Sequence, residues 1–144
     1  MNDNRGVIKH IARAQQINSF KNIRYGNITP TDLDGAIEYH DKCWVFFELK
    51  YNNAPISYGQ KLALERLVND TAKNNKKSIA IIADHYVNDT DKEVDAADCV
   101  VRKIYLSNEK KWRGVVRKMS LKECVDVFID WVDKKQESVK AGKR

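Results

Sequence analysis

The sequence predicts an α/β layered domain, helices flanking a mixed sheet, with its elements in the order α-β-β-α-β-β-β-α. Three observations lead there. Runs of β-branched and aromatic residues such as GAIEY, CWVFFELK and SIAIIA alternate with stretches of helical period. Two helical stretches open with the spacing of a capping box, Ser57 with Gln60 and Ser120 with Glu123. CWVFF is apolar on both faces, which places its strand inside the sheet with a layer on either side.

From about Gly6 to Phe20, Ile8, Ile11, Ala12 and Ile17 recur with roughly helical period and predict the first helix. Gly26 and Pro30 punctuate the loop that follows. Gly35 to Tyr39 and Cys43 to Lys50 are strands joined by the polar turn His40-Asp41-Lys42, a β-hairpin connection. A loop around Pro55 leads to a helix from about Ser57 to Asn74, with Leu64, Leu67, Val68 and Ala72 as one apolar stripe. Ser78 to Ala83 is a short buried strand. Asp84 to Asp98, with six acids and one lysine, reads as a long polar connection. Cys99 to Leu106 and Trp112 to Val116 are two further strands around the charged turn SNEKK. The last helix opens at Ser120 and presents Leu121, Val125, Phe128, Ile129 and Val132. Residues 1–133 are read as one domain and 134–144 as a basic, flexible tail.

The chain has 144 residues, 42% of them hydrophobic, enough to bury a core without staples. Cys43, Cys99 and Cys124 are odd in number, far apart and without CxxC spacing, so they read as reduced core thiols. His10, His40 and His85 show no metal-ligand spacing, so zinc is not expected. No stretch approaches a membrane span, and the first residues lack the apolar core of a secretory signal, so a cytoplasmic location is expected. The formal charge of +6 is a weak pointer to nucleic acid until it is divided. Residues 134–144 supply +4, while +7 in Cys99–Lys122 is nearly offset by −5 in Asp84–Asp98.

Glu48-Leu49-Lys50 ends an otherwise apolar strand. Side chains alternate across a strand, so Glu48 and Lys50 share one face and Leu49 takes the other. A carboxylate and an ammonium at the end of a buried strand cost desolvation energy and need a reason. A hairpin register brings Asp34 towards them. Two carboxylates beside a lysine make a hard-oxygen site suited to Mg²⁺, with the lysine close to a phosphate oxygen.

TDLDG, then ELK beginning thirteen residues later, then a helix opening with Gln60, resembles the core of the PD-(D/E)xK nucleases over roughly Gly6 to Ala83. The resemblance implies the α-β-β-α-β core of the restriction-endonuclease-like type, here with an added β-hairpin and a C-terminal helix. It implies catalytic roles for Asp34, Glu48, Lys50 and Gln60, and a Mg²⁺ or Mn²⁺ ion held by Asp34, Glu48 and the Leu49 backbone carbonyl. Thr31 separates Pro30 from Asp32, so the Pro-Asp pair is not intact and two aspartates compete. Asp34, directly before Gly35, has the usual form, and Asp32 is the runner-up. Gly6 to Phe20 contains no acid; Gln15 and Gln16 are its only stand-ins for a first-helix Glu.

The implied activity is Mg²⁺-dependent hydrolysis of phosphodiester bonds in DNA, of endonuclease type. The small compact form resembles nucleases of phages and mobile elements, including Holliday-junction resolvases, which act as homodimers. Arg102, Lys103, Lys110, Lys111, Arg113, Arg117 and Lys118 are the candidate DNA contacts, with Tyr105 and Trp112 interleaved. The alternative is a nucleic-acid-binding or assembly protein built on an inactive nuclease fold.

Overall fold

The computed structural model describes residues 5–142, with side chains through Gln136. The chain divides into two compact units, residues 1–31 and 32–144, so the stretch read as a single domain contains a separate N-terminal unit.

In the first unit the helix expected from Gly6 to Phe20 is a single turn, α1 (Ile11–Ala14), with no buried residue. Ile8, Ile11 and Ile17 are exposed, so their helical period meets no packing surface. A helix this short, without an apolar face to bury, is marginal in water. A bridge between Tyr25 and Ile28 closes a tight turn in which Gly26 takes the left-handed conformation, φ +64°.

The second unit is α/β, a five-stranded mixed sheet flanked by helices. Its elements are β1 (Gly35–Tyr39), β2 (Cys43–Tyr51), α2 (Tyr58–Thr71), β3 (Lys77–His85), β4 (Val100–Leu106), β5 (Trp112–Arg113) and α3 (Leu121–Gly142). A 3₁₀ turn (Ala96–Asp98) precedes β4. The strands lie in the order β1-β2-β3-β4-β5. Only β2 and β3 pair in parallel, across the α2 crossover; the other pairs are antiparallel. The first hairpin turns through His40 and Asp41, both with positive φ, and Lys42 N donates to the Tyr39 carbonyl at 2.8 Å.

Alternation along β2 sorts the core into two layers. Cys43 and Val45 face α3 with Ile79, Ile81, Leu121, Phe128 and Val132. Phe46 faces α2 with Leu64, Val68, Ala80 and Tyr105. Each fully buried aliphatic or Phe side chain here is worth about 1.5–3 kcal/mol. All three cysteines are free and buried, and burial pushes the thiols of Cys43 and Cys124 up to about 11.

Both capping boxes form: Gln60 N donates to Ser57 Oγ and Glu123 N to Ser120 Oγ, each at 3.1 Å. The α2 helix ends at Thr71, three residues short of expectation, and three other boundaries differ. β5 is two residues long rather than five. α3 runs on through Gly142 across the expected tail, because Lys, Gln, Glu and Ala are good helix formers and nothing breaks the run earlier; Lys143 and Arg144 lie outside the described residues. β3 runs on to His85, so Asp84 belongs to a buried strand rather than to the acidic connection. Among the described residues no helix is long and apolar enough to cross a membrane.

Candidate active site

Parallel pairing sets the last residues of β2 and β3 side by side, Glu48 with Ile82, Lys50 with Asp84 and Tyr51 with His85. The first turn of α2 reaches the same end of the sheet. Glu48 and Lys50 share the α2 face with Phe46, as alternation requires.

Glu48 is buried, 6% exposed. Its Oε1 lies 3.4 Å from Lys50 Nζ and accepts a hydrogen bond from Gln60 Nε2 at 3.3 Å. Lys50 Nζ in turn donates to Gln60 Oε1 at 3.4 Å, which closes a three-membered network. Gln60 Oε1 also accepts from Ser57 N at 3.4 Å. Gln60 therefore serves the capping box and the Glu48–Lys50 pair together.

Asp34 stands one residue before β1. The register pairs Gly35 with Phe47, which carries Asp34 to a place opposite Glu48. Its Oδ2 accepts from the Leu49 backbone N–H at 2.7 Å, so a side chain satisfies the donor where β1 ends. Gly35 permits this approach. A Cβ there would sit 2.1 Å from the Phe47 ring, which lies across the glycine backbone. Burial pushes the Glu48 carboxyl up, the negative charge of Asp34 pushes it further, and Lys50 pulls it down; the net direction is upward. Two carboxylates driven together beside one ammonium form a site whose charge a hard cation would balance.

Asp32 is exposed and makes no hydrogen bond or ion pair among the described residues. Of the two competing aspartates, Asp34 is the one brought to Glu48. Gln15 and Gln16 belong to the N-terminal unit, where Arg13 Nη1 donates to Gln16 Oε1 at 3.2 Å.

Sequence reasoning missed Asp84. It is 3% exposed, lies beside Lys50 in register, and accepts from Asn53 N at 3.1 Å and Arg102 Nε at 2.8 Å. Arg102 Nη2 closes the second arm of this ion pair. The hydrogen bonds to Asp84 bind the Arg102 proton more tightly than usual. The available signal was parity: Asp84 continues the Ala80–Ile82 face of SIAIIA. Arg102 owes its position to a β-bulge. Ile82 pairs with Lys103 and Ala83 with Val101, which leaves Arg102 as the extra residue of β4. The bulge places Arg102 and Lys103 on one cleft, with Ile56, Lys61 and Ile82, of about 170 Å³.

The remaining basic candidates are not gathered there. Lys110 and Lys111 are exposed in the turn between β4 and β5, at the opposite end of the sheet. Arg113 pairs with Glu109 at 2.6 Å and Arg117 with Glu123 at 3.1 Å. Both arginines border an apolar cavity of about 570 Å³ on the α3 side, with Met119 and Phe128. Lys118 is exposed just ahead of α3. The +7 segment thus divides between two faces of the sheet, because β4 and β5 alternate and the chain then crosses to α3. Tyr105 is buried, and Trp112 packs on it while donating to Glu65 Oε1 at 2.7 Å. Both rings belong to the α2-side core.

No family model matches the chain, and no match is found among curated proteins or solved structures.

Proposed function

We propose that this protein is a divalent-metal-dependent nuclease of the PD-(D/E)xK type, hydrolysing phosphodiester bonds in DNA. One observation carries the reading. Asp34, Glu48, Lys50 and Gln60, drawn from the β1 start, the β2 end and the α2 start, meet at one end of the sheet. A buried ion pair for stability alone would need neither Asp34 beside Glu48 nor a glutamine bridging both partners.

The donor set fits a hard cation. Asp34 and Glu48 supply carboxylate oxygens and Leu49 a backbone carbonyl, leaving further positions to water and phosphate. When bound, Mg²⁺ or Mn²⁺ would polarise the scissile phosphate and make water a better nucleophile at neutral pH. The chain's own groups do the rest. Gln60 fixes the Glu48 carboxylate through Nε2 and the Lys50 ammonium through Oε1, so both are oriented before substrate arrives. Lys50 Nζ is placed to orient the attacking water and to hold a proton near the charge that grows on the phosphate oxygens.

The setting that accompanies this reading is phage or mobile-element DNA processing in a cytoplasm, which three free buried thiols suit. Junction-resolvase activity and a homodimer belong to the same proposal. The test is cleavage of linear, circular, single-stranded and branched DNA with Mg²⁺ or Mn²⁺, against EDTA and Lys50→Ala. Cleavage lost in both controls is the expected result. Cleavage that survives both would overturn it, and DNA binding without cleavage in either metal would favour the inactive-fold alternative.

A further inference from the structure

Glu48, Ile82 and Lys103 are successive cross-strand partners on β2, β3 and β4. Neighbouring strands lie about 4.8 Å apart, so the Lys103 backbone stands about 10 Å across the sheet from that of Glu48. On this line the cleft holds three cations, Lys61 from the first turn of α2 and Arg102 and Lys103 from the β4 bulge, over the apolar side chains Ile56 and Ile82. Among the described residues no carboxylate lines it. Asp84 engages Arg102 through Nε and Nη2, and Nη1 has no hydrogen-bond partner among the described residues. Neither Lys103 nor Lys61 makes an ion pair among the described residues, and Lys61 Nζ lies over the Trp112 ring, 5.8 Å from its centroid.

Lysines placed on a concave surface without counter-ions accumulate anions. We propose that this cleft binds a phosphate group of the nucleic-acid strand, next to the phosphate that meets Glu48 and Lys50, with Lys61 and Lys103 as its two contacts and Arg102 as a fixed third donor. This rests on the reading of the neighbouring site as a nuclease centre. It assigns a role to Lys61, a residue that stood in no basic run of the sequence, and separates Arg102 and Lys103 from the other basic residues of Cys99–Lys122. The cleft sets the line on which the strand crosses the sheet, between β4 and β2.

The experiment is fluorescence anisotropy with a labelled DNA oligonucleotide in Ca²⁺ over a salt series, with the full chain, Lys61→Gln, Lys103→Gln and a Lys134→Gln control on the exposed α3 surface. Cleavage in Mg²⁺ is measured separately. Each cleft variant is expected to bind roughly tenfold more weakly and to flatten the plot of log affinity against log salt by about 0.7–0.9. The control should match the wild type. Wild-type affinity and slope in both cleft variants, alongside wild-type cleavage, overturns the cleft and leaves the nuclease reading standing. Weakened binding in both, with no cleavage in any metal, supports the cleft and removes the hydrolytic reading. A wild type that does not bind DNA overturns both.

Discussion

Gln60 donates from Nε2 to Glu48 Oε1 at 3.3 Å while the same side chain closes the capping box with Ser57 at the start of α2. One residue therefore joins helix initiation to the candidate chemistry, and substitution can pull the two apart.

Gln60→Glu keeps the capping geometry, since Glu serves as well as Gln at that position, but sets a third carboxylate against Glu48. Its melting temperature in metal should stay near wild type while turnover drops roughly tenfold or more. Gln60→Ala should lose the same activity and about 1 kcal/mol of stability as well. Equal melting temperatures for the two variants would show that the cap contributes nothing here.

The upward shift of the Glu48 carboxyl sets a sign for stability against pH. The folded state holds this proton more tightly than the unfolded chain, so the contribution is complete below the ordinary Glu value of 4.5 and is lost as pH rises through the raised one. In EDTA the melting temperature should fall over that interval. Lys50→Met removes the group that pulls Glu48 down, so the fall should continue to higher pH. Thermal melts from pH 4 to pH 8 read both slopes, and a variant parallel to wild type would exclude the coupling.

Divalent metal should reverse that loss. Mn²⁺ at about one hundred times its dissociation constant adds about 2.7 kcal/mol to the folded state. Asp34→Asn and Glu48→Gln should each remove most of the rise in melting temperature, whereas Asp32→Asn should keep it. A full Mn²⁺ response in Asp34→Asn would move the ligand role to the other aspartate.

Gly35→Ala brings a Cβ into the Phe47 ring. It should cost about 1–3 kcal/mol by overpacking and weaken the Mn²⁺ response, because Asp34 is the adjacent residue. The double variant Gly35→Ala with Phe47→Leu should recover part of the Mn²⁺ response, read by titration calorimetry on folded protein.

What could be read from the sequence was local. Ser57–Gln60 and Ser120–Glu123 are pairs three residues apart, and the Glu48–Lys50 face follows from strand alternation; neither depends on what packs where. Asp34 could be preferred over Asp32 because a glycine follows it, although the Phe47 ring that requires the glycine is visible only in three dimensions. The longer first helix failed because period alone does not supply a surface to bury Ile8, Ile11 and Ile17. Asp84 was hidden by company: five further acids follow it, which outweighed its parity with Ala80 and Ile82, and the pairing with both β2 and β4 shows that it belongs to the strand instead. The division of the basic segment between two faces likewise depends on pairing.

Arg102 is a surplus residue. Without it, Val101 and Lys103 would follow one another against Ala83 and Ile82, and the ladder between β3 and β4 would run unbroken with every other side chain on its present face. The strand accommodates one residue more than its hydrogen bonds need, and that residue is the partner of a buried acid. Surplus residue and acid thus form a single structural unit. A homologous chain with an apolar residue in place of Asp84 should also be one residue shorter in this strand, and loss of either alone should leave the other stranded.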